Sequence, residues 1–404
     1  MNLGIRPLLR ALQRNPVGEV LIGMQIAITL AVLVNVTGIV TRRVRRIERP
    51  AGIDTRDTFA IVVSSLSKSF NFDAAESTDL AYLRGLPGVA AATVTTGEPL
   101  THDGSYAQFS SQPHRRGNTV TVSVLPTDDQ GLKTLDVPLI AGRNFRATEV
   151  TSYSPRDPSP PLTSIILTER AARTLFAHGS AVGKTIYGYG SMPVTVIGVT
   201  HNFIGPLLGD SPYDTALIPQ MSGEFGQYEL LVRTRPRQLF AVMRTAKRHI
   251  GMAHPDAVVL YTTTLSADLH RMHANDRNVA LFLLAVTAMM LAICCFGVFA
   301  LAAFNVRRRT KEIGVRRAVG ARKRDIVVQF MTESAFVLSG GLALGSVLAL
   351  AIGQWLTDHD GVSHLDPWYL LVGFAVLALT SQLAAWQPAR WAATIPPSVA
   401  TRTV

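Results

Sequence analysis

Cysteine is nearly missing from this chain: Cys294 and Cys295, side by side, are the only two in 404 residues. Adjacent helical residues point in different directions, so a bridge between them is disfavoured. The stretch 41–278 contains none, and therefore holds together without disulfides whichever compartment it faces. No base-reading motif accompanies the net charge of +11, so the basic balance does not indicate a nucleic-acid ligand. No small-residue cleavage site follows the first apolar run, which is also too long for the core of a signal peptide. That run is an anchor. No Ser/His/Asp arrangement can be picked out by spacing, and the reading is of a chain without an active site, metal or cofactor of its own.

Long apolar runs are what the sequence does have. Val17–Val40, Val279–Phe304, Glu333–Leu356 and Pro367–Gln387 are each long enough to cross the roughly 30 Å hydrocarbon layer as a helix. They predict a polytopic α-helical membrane protein with four transmembrane helices, at 17–40, 279–304, 333–356 and 367–387. The loop 305–332 carries Arg307, Arg308, Arg309, Lys311, Arg316, Arg317, Arg322, Lys323 and Arg324 against Glu312 and Asp325, so it belongs in the cytoplasm. The next loop, 357–366, has no Lys or Arg and belongs outside. Both termini, 1–16 and 388–404, are then cytoplasmic, and 41–278 is extracytoplasmic. Arg42, Arg43, Arg45, Arg46 and Arg49 run against this on the outer side, where the charge rule weakens beside a long translocated domain. Arg6, Arg10 and Arg14, spaced by four, fit a short amphipathic helix on the inner leaflet or a plain basic tail.

The 41–278 region predicts an α+β domain. Runs rich in β-branched residues at 58–63, 119–125, 163–168, 193–199, 228–234 and 257–262 read as strands. Asp73–Arg84, Glu169–Phe176, Arg237–Ile250 and Leu265–Asn275 read as helices. The proline-rich 153–161 segment is a loop and a place for a split into two lobes. HGSAVGKT (178–185) imitates a phosphate-binding loop, but its first glycine is misplaced and strand-like residues follow the lysine. His270 and His273 with Asp268 and Asp276, and His359 and His364 with Asp358, Asp360 and Asp366, read as polar helix and solvated loop rather than metal or pH sites.

The 305–332 loop reads as a helix that ends near Gly320, followed by a second helix from about Arg322. Glu312 and Arg316 can pair along the first. Ile313, Ala318 and Val319 are apolar within this charged hairpin, which gives it a protruding end suited to a groove on a partner. Its string RTKEIGVRRAVGARKRDI (309–326) resembles the signature of MacB/FtsX-type ABC transporter permeases. TLDVPLIAGRNF (134–145), ILTERAARTLFAHGSAVGKTI (166–186) and PARWAATIPPSVA (388–400) resemble further segments of that family, and the resemblance covers nearly the whole chain.

The resemblance implies a permease in the bacterial inner membrane, driven by a dimer of separate cytoplasmic ATPase subunits that bind the ATP. It implies that Lys311, Glu312, Ile313, Gly314, Arg316, Arg317, Gly320 and Ala321 meet the ATPase, and that motion reaches the periplasmic core domain so that substrate is extruded. A second permease copy or paralogue, a periplasmic membrane-fusion protein and the lipid bilayer are the other implied partners. An FtsX-like regulator of a periplasmic hydrolase, a lipoprotein-releasing permease, and a membrane-anchored periplasmic enzyme or sensor are the alternatives. Gly341, Gly345, Ala349 and Gly353 recur every four residues, a face for close helix packing within the chain or between copies. Gln25, Asn35, Gln354 and Gln382 are too few to line a polar conduit.

Overall fold

The computed structural model describes residues 16–67, 69–101, 104–152, 162–188, 192–206, 211–221, 226–360 and 366–396. The amphipathic 1–15 segment, the 153–161 loop and His364 lie outside them. Two compact units form, 49–275 and the remainder.

In chain order, helix α1 (Pro16–Ile47) comes first. Then come β1 (Thr58–Ser64), α2 (Phe72–Gly85), β2 (Val89–Thr95), β3 (Ser105–Gln112), β4 (Arg116–Pro126), α3 (Gly131–Leu135), β5 (Leu139–Gly142) and β6 (Thr151–Ser152). They are followed by β7 (Ser164–Thr168), α4 (Glu169–Leu175), β8 (Thr185–Gly188), β9 (Met192–Thr200), β10 (Thr215–Ile218), β11 (Gln220–Met221), β12 (Gln227–Thr234), α5 (Leu239–Ala253) and β13 (Val258–Thr264). The chain ends in α6 (Leu265–Arg308), α7 (Thr310–Ala318), α8 (Lys323–Asp360) and α9 (Pro367–Thr394).

The 49–275 unit is α+β and has two main sheets. One has the order β13-β1-β12-β2, all antiparallel, with α2 and α5 packed on it. The other has the order β5-β9-β7-β10-β4-β3-β8, and β8 also bonds to β9, so the sheet rolls back on itself. Phe109, Val122, Ile165, Ile186 and Val196 fill the curl. A third core, with Ala60 and Leu231 from the first sheet and Leu125, Ile166 and Leu217 from the second, joins the two. The lobes therefore do not part at 153–161. The second sheet is inserted between β2 and β12 of the first, so the chain passes between the two sheets after β2 and again before β12. The false phosphate loop is a turn that leads into β8, and its Lys184 Nζ sits 4.4 Å over the Phe176 ring.

Beneath the first sheet, Tyr228 donates a 2.6 Å hydrogen bond to Asp79, which also meets His254 Nε2 at 3.0 Å. Glu76, one turn earlier on α2, is wholly buried, and both its carboxylate oxygens lack a partner. Burial, and then the nearby Asp73 carboxylate, push Glu76 up to about 8, so it is protonated at neutral pH. A carboxyl raised in the folded state stabilises fully below its unfolded value, and that benefit is lost as pH rises through the folded one. Between the ordinary value and pH 7 the loss is on the order of 3 kcal/mol. Glu76→Gln should therefore raise the thermal midpoint of the unit at pH 8 and leave it nearly unchanged below pH 5, as followed by melting across pH.

In the other unit, α1, α6, α8 and α9 are long and apolar enough to cross a membrane. Phe282, Phe296, Val347 and Leu379 are more than half exposed, the outward face expected of helices solvated by lipid. Helix α1 packs in the middle of the bundle, burying Ile26, Leu30, Ala31 and Val34. The small-residue face of α8 lies against it. A Cβ at Gly341 would stand 2.8 Å from Gly23 O, and one at Gly345 would stand 2.9 Å from Ala27 Cα. Asn35 Nδ2 donates to Ala31 O at 2.8 Å and to Ala349 O at 3.2 Å across the same seam. At Gly341, Gly345 and Ala349 that face is thus used within the chain.

Three helix ends depart from the sequence reading. Helix α1 continues to Ile47 because arginine is a good helix former and no breaker intervenes before Pro50. Helix α6 absorbs the separate helix expected at Leu265–Asn275, because no glycine or proline interrupts 265–296. Helix α9 runs through Pro388 to Thr394, where burial of Ala389, Ala392 and Ala393 offsets the lost hydrogen bond. The 357–366 loop is also shorter than expected, since α8 reaches Asp360.

Candidate coupling site

The basic hairpin is α7 with the turn that follows it. Thr310 Oγ1 bonds back to Arg307 O at 2.8 Å where α6 gives way to α7. At the far end, Gly320 takes a φ of 104°, the left-handed region that suits glycine. Gly320 N donates to Arg317 O at 3.2 Å and Ala321 N to Arg316 O at 3.0 Å, the paired bonds of a Schellman stop. Asp325 Oδ2 then accepts from Arg322 N at 3.0 Å and starts α8. The sequence thus encodes helix, stop and restart in sixteen residues, 310–325.

Packing fixes the hairpin onto three helix ends. Ile313 is buried with Val306 of α6, Ile326 and Phe330 of α8, and Ala389, Ala392 and Ala393 of α9. Gly314 is buried beside it. Ile313 and Gly314 therefore hold the hairpin in place, and the apolar side chains on its exposed side are others. Val319 is 83% exposed and Val315, one turn before it, 52%. Lys311, Glu312, Arg316, Ala318 and Gly320 share this exposed surface, with Arg322, Lys323 and Arg324 beyond the half-buried Ala321.

A polar chain completes the attachment. Arg309 Nη1 lies 2.8 Å from Glu333 Oε2, and Gln329 Nε2 donates to Glu333 Oε1 at 3.1 Å. Arg316 Nη1 donates to Gln329 Oε1 at 2.6 Å, which ties α7 to α8. Arg317 Nη1 donates to Ala393 O at 3.1 Å and Ile395 O at 2.8 Å, capping carbonyls that the end of α9 leaves open. The sequence marked Arg309 only as one of the loop's basic residues, and assigned no role to Gln329 or Glu333. A charged Glu333 at the edge of an apolar run was the available signal, since such residues are retained when paired. Nearby, a cavity of about 40 Å³ lined mainly by apolar side chains also touches Asn305, Glu333, Ser381 and Gln382.

Other predicted polar groups have structural partners. Asp268 is held by Thr263 and Arg271, and Asp276 by Arg43. In the 134–145 segment, Leu135, Val137 and Phe145 enter the core and Arg143 pairs with Glu149 through both carboxylate oxygens. That pairing holds Glu149 down at about 2.

Residues 20–249 match the MacB-like periplasmic core domain, and residues 284–397 match the FtsX-like permease C-terminal domain. The chain belongs to the MacB/FtsX-like family of ABC transporter permeases. As a permease of this family with four membrane-crossing helices, it is a bacterial inner-membrane protein. It is 30% identical over 297 residues to the macrolide export ATP-binding/permease protein MacB of Agrobacterium fabrum, covering 70% of this chain and 44% of that one. It is 27% identical over 266 residues to the probable syringafactin export ATP-binding/permease protein SyfD of Pseudomonas syringae pv. tomato, covering 63% and 39%. The permease thus spans less than half the length of these relatives. The periplasmic region of MacB from Actinobacillus actinomycetemcomitans aligns at a TM-score of 0.36 and 14% identity, over 55% of this chain and 95% of that one.

Proposed function

We propose that this permease carries ATP-driven motion from a pair of cytoplasmic ATPase subunits to its α+β domain, and so extrudes a substrate from the outer side of the inner membrane. The observation that carries the reading is the mounting of the hairpin. Its exposed Val315 and Val319 stand on a helix whose other face is locked to the ends of α6, α8 and α9. A pull on such a tip moves three membrane helices together. A loosely tethered basic loop would absorb the same pull. The excess of arginine and lysine here supports a cytoplasmic hairpin, with both termini on that side. Apolar Val315 and Val319, ringed by cations with the Glu312 carboxylate among them, fit a partner groove with an apolar floor and a rim of both charge signs, which a reversal at Glu312 would mismatch. The permease itself contributes no reaction chemistry in this reading. A second permease copy faces it, and a periplasmic membrane-fusion protein continues the path. The two export relatives are named for different cargoes, so likeness supports the class of machine and leaves the cargo to be found by assay.

Affinity purification from the native host in mild detergent tests the coupling. Wild type should bring down a P-loop ATPase, and Glu312→Lys on the exposed face of α7 should recover about tenfold less, a loss of about 1.4 kcal/mol in binding. The variant should accumulate to the wild-type level. Recovery of no such ATPase with either chain would refute the reading.

A further inference from the structure

A groove of about 250 Å³ runs between α1 and α8 on the surface of the membrane-crossing unit. Its walls are the exposed side chains of Val20 and Met24 on α1 and of Phe336 and Leu344 on α8. Glycine keeps it open: an added Cβ at Gly23 or Gly340 would meet nothing within 4 Å. The two helices lie side by side here and run the same way, with Gly341 beside Gly23 and Gly345 beside Ala27. Glu19, in the first turn of α1, therefore stands at one end of the groove, at the edge of the apolar run. From Phe336 to Leu344 the groove extends inward by about 12 Å, close to the roughly 15 Å depth of hydrocarbon in one leaflet.

Glu19 asks for a donor. Its Oε2 is buried and receives no hydrogen bond among the described residues. Glu333, the carboxylate at the corresponding edge of α8, is by contrast met by Arg309 and Gln329. A carboxyl on a membrane-crossing helix is costly to leave without such a partner. The space beside it is narrow and apolar. A helix about 10 Å across would need several times the volume of this groove over the same length, whereas a single hydrocarbon chain fits.

We propose that this groove holds one acyl chain of a phospholipid whose ammonium headgroup donates to Glu19 at the membrane edge. The chain lies over Gly23 and Gly340, between the ridge of Val20 and Met24 and that of Phe336 and Leu344. The lipid then spans α1 and α8 where neither helix supplies side chains to fill the gap. Glu19 sets the headgroup preference. A primary ammonium brings positive charge and N–H donors, a quaternary ammonium brings the charge without the donors, and an anionic headgroup is repelled. The site does not depend on the ATPase reading, nor on which side of the membrane the start of α1 faces, since both leaflets supply lipid.

The test strips the full chain of lipid in detergent and titrates it with phosphatidylethanolamine, phosphatidylcholine and phosphatidylglycerol of equal chain length, read by native mass spectrometry. Wild type should bind the first about tenfold more tightly than the third, with the second between them. Glu19→Gln keeps an acceptor but no charge, and should narrow that spread to less than about twofold while a chain is still held. Gly340→Leu fills the groove from α8 and Gly23→Leu fills it from α1. Either should weaken phosphatidylethanolamine binding at least about tenfold, and the pair keeps the test decisive if one of them does not fold. Equal affinities for the three lipids in wild type, a preference that survives Glu19→Gln, or undiminished binding in a folded leucine variant would overturn the proposal. So would a wild-type dimer that Gly340→Leu dissolves, because the groove would then belong to a second copy.

Discussion

Ile313→Asp should detach the hairpin from the bundle. Ile313 is buried among Val306, Ile326, Phe330, Ala389, Ala392 and Ala393, and Arg317 at the edge of this cluster is engaged with the Ala393 and Ile395 carbonyls. The change removes an apolar side chain worth about 2–5 kcal/mol in such a core and adds the cost of burying a carboxylate among apolar groups. That exceeds what a nine-residue helix gains by docking. Trypsin should then cut between 307 and 324 at least about tenfold faster than in wild type, because local opening controls access to the arginines. Recovery of the ATPase should fall with it. Val319→Asp is the matched comparison, since that residue is 83% exposed. It should leave trypsin resistance at the wild-type level and weaken only recovery of the ATPase. Unchanged proteolysis in Ile313→Asp would mean the hairpin is not held through this core.

The second large effect is at the α1/α8 seam. A side chain at Gly345 starts 2.9 Å from both Ala27 Cα and Ala27 O, which are backbone atoms of a packed helix and cannot turn aside. Gly345→Leu must push α1 and α8 apart, and the Asn35 bond to Ala349 O goes with it. A loss of about 3 kcal/mol or more is expected, equivalent to roughly 6–12 °C in thermal midpoint for a unit of this size. Gly340→Leu, where an added Cβ meets nothing within 4 Å, should stay within about 2 °C of wild type. Equal midpoints for the two variants would show that the seam is not close-packed. Melting of the purified protein in detergent distinguishes them.

Much of this fold is written locally. The strands β1, β4, β7, β9, β12 and β13 sit on runs of β-branched residues, and the four membrane helices on apolar runs too long for anything else. Among the strands that escaped, β3 is mostly polar and β8 and β10 have four residues each, while three alanines interrupt the β-branched Val89, Thr93, Val94 and Thr95 of β2. The hairpin's shape was legible because glycine and capping residues act within a few positions. Its inward face was not. Whether Ile313 or Val319 turns to the bundle depends on Ala389 and Ala392, some seventy residues later. Arg317 looked like a charge offered to a partner for the same reason, while its guanidinium caps the end of α9. The insertion of the second sheet into the first was also hidden, since pairing of β1 with β12 leaves no mark at either strand.

That pairing has a kinetic consequence. Thr58 stands opposite Arg233 and Phe59 opposite Val232, so the central pair of the four-stranded sheet joins residues from opposite ends of the domain. Such contacts raise contact order, and closing so large a loop is slow unless something shortens it first. The curled second sheet can do so, because it folds from the intervening segment and brings its own ends together. During biosynthesis β1 would emerge early and wait unpaired, its apolar edge exposed, until β12 had been made. Chaperone demand should therefore concentrate on that interval, and slowing the maturation of the inserted sheet should lengthen it.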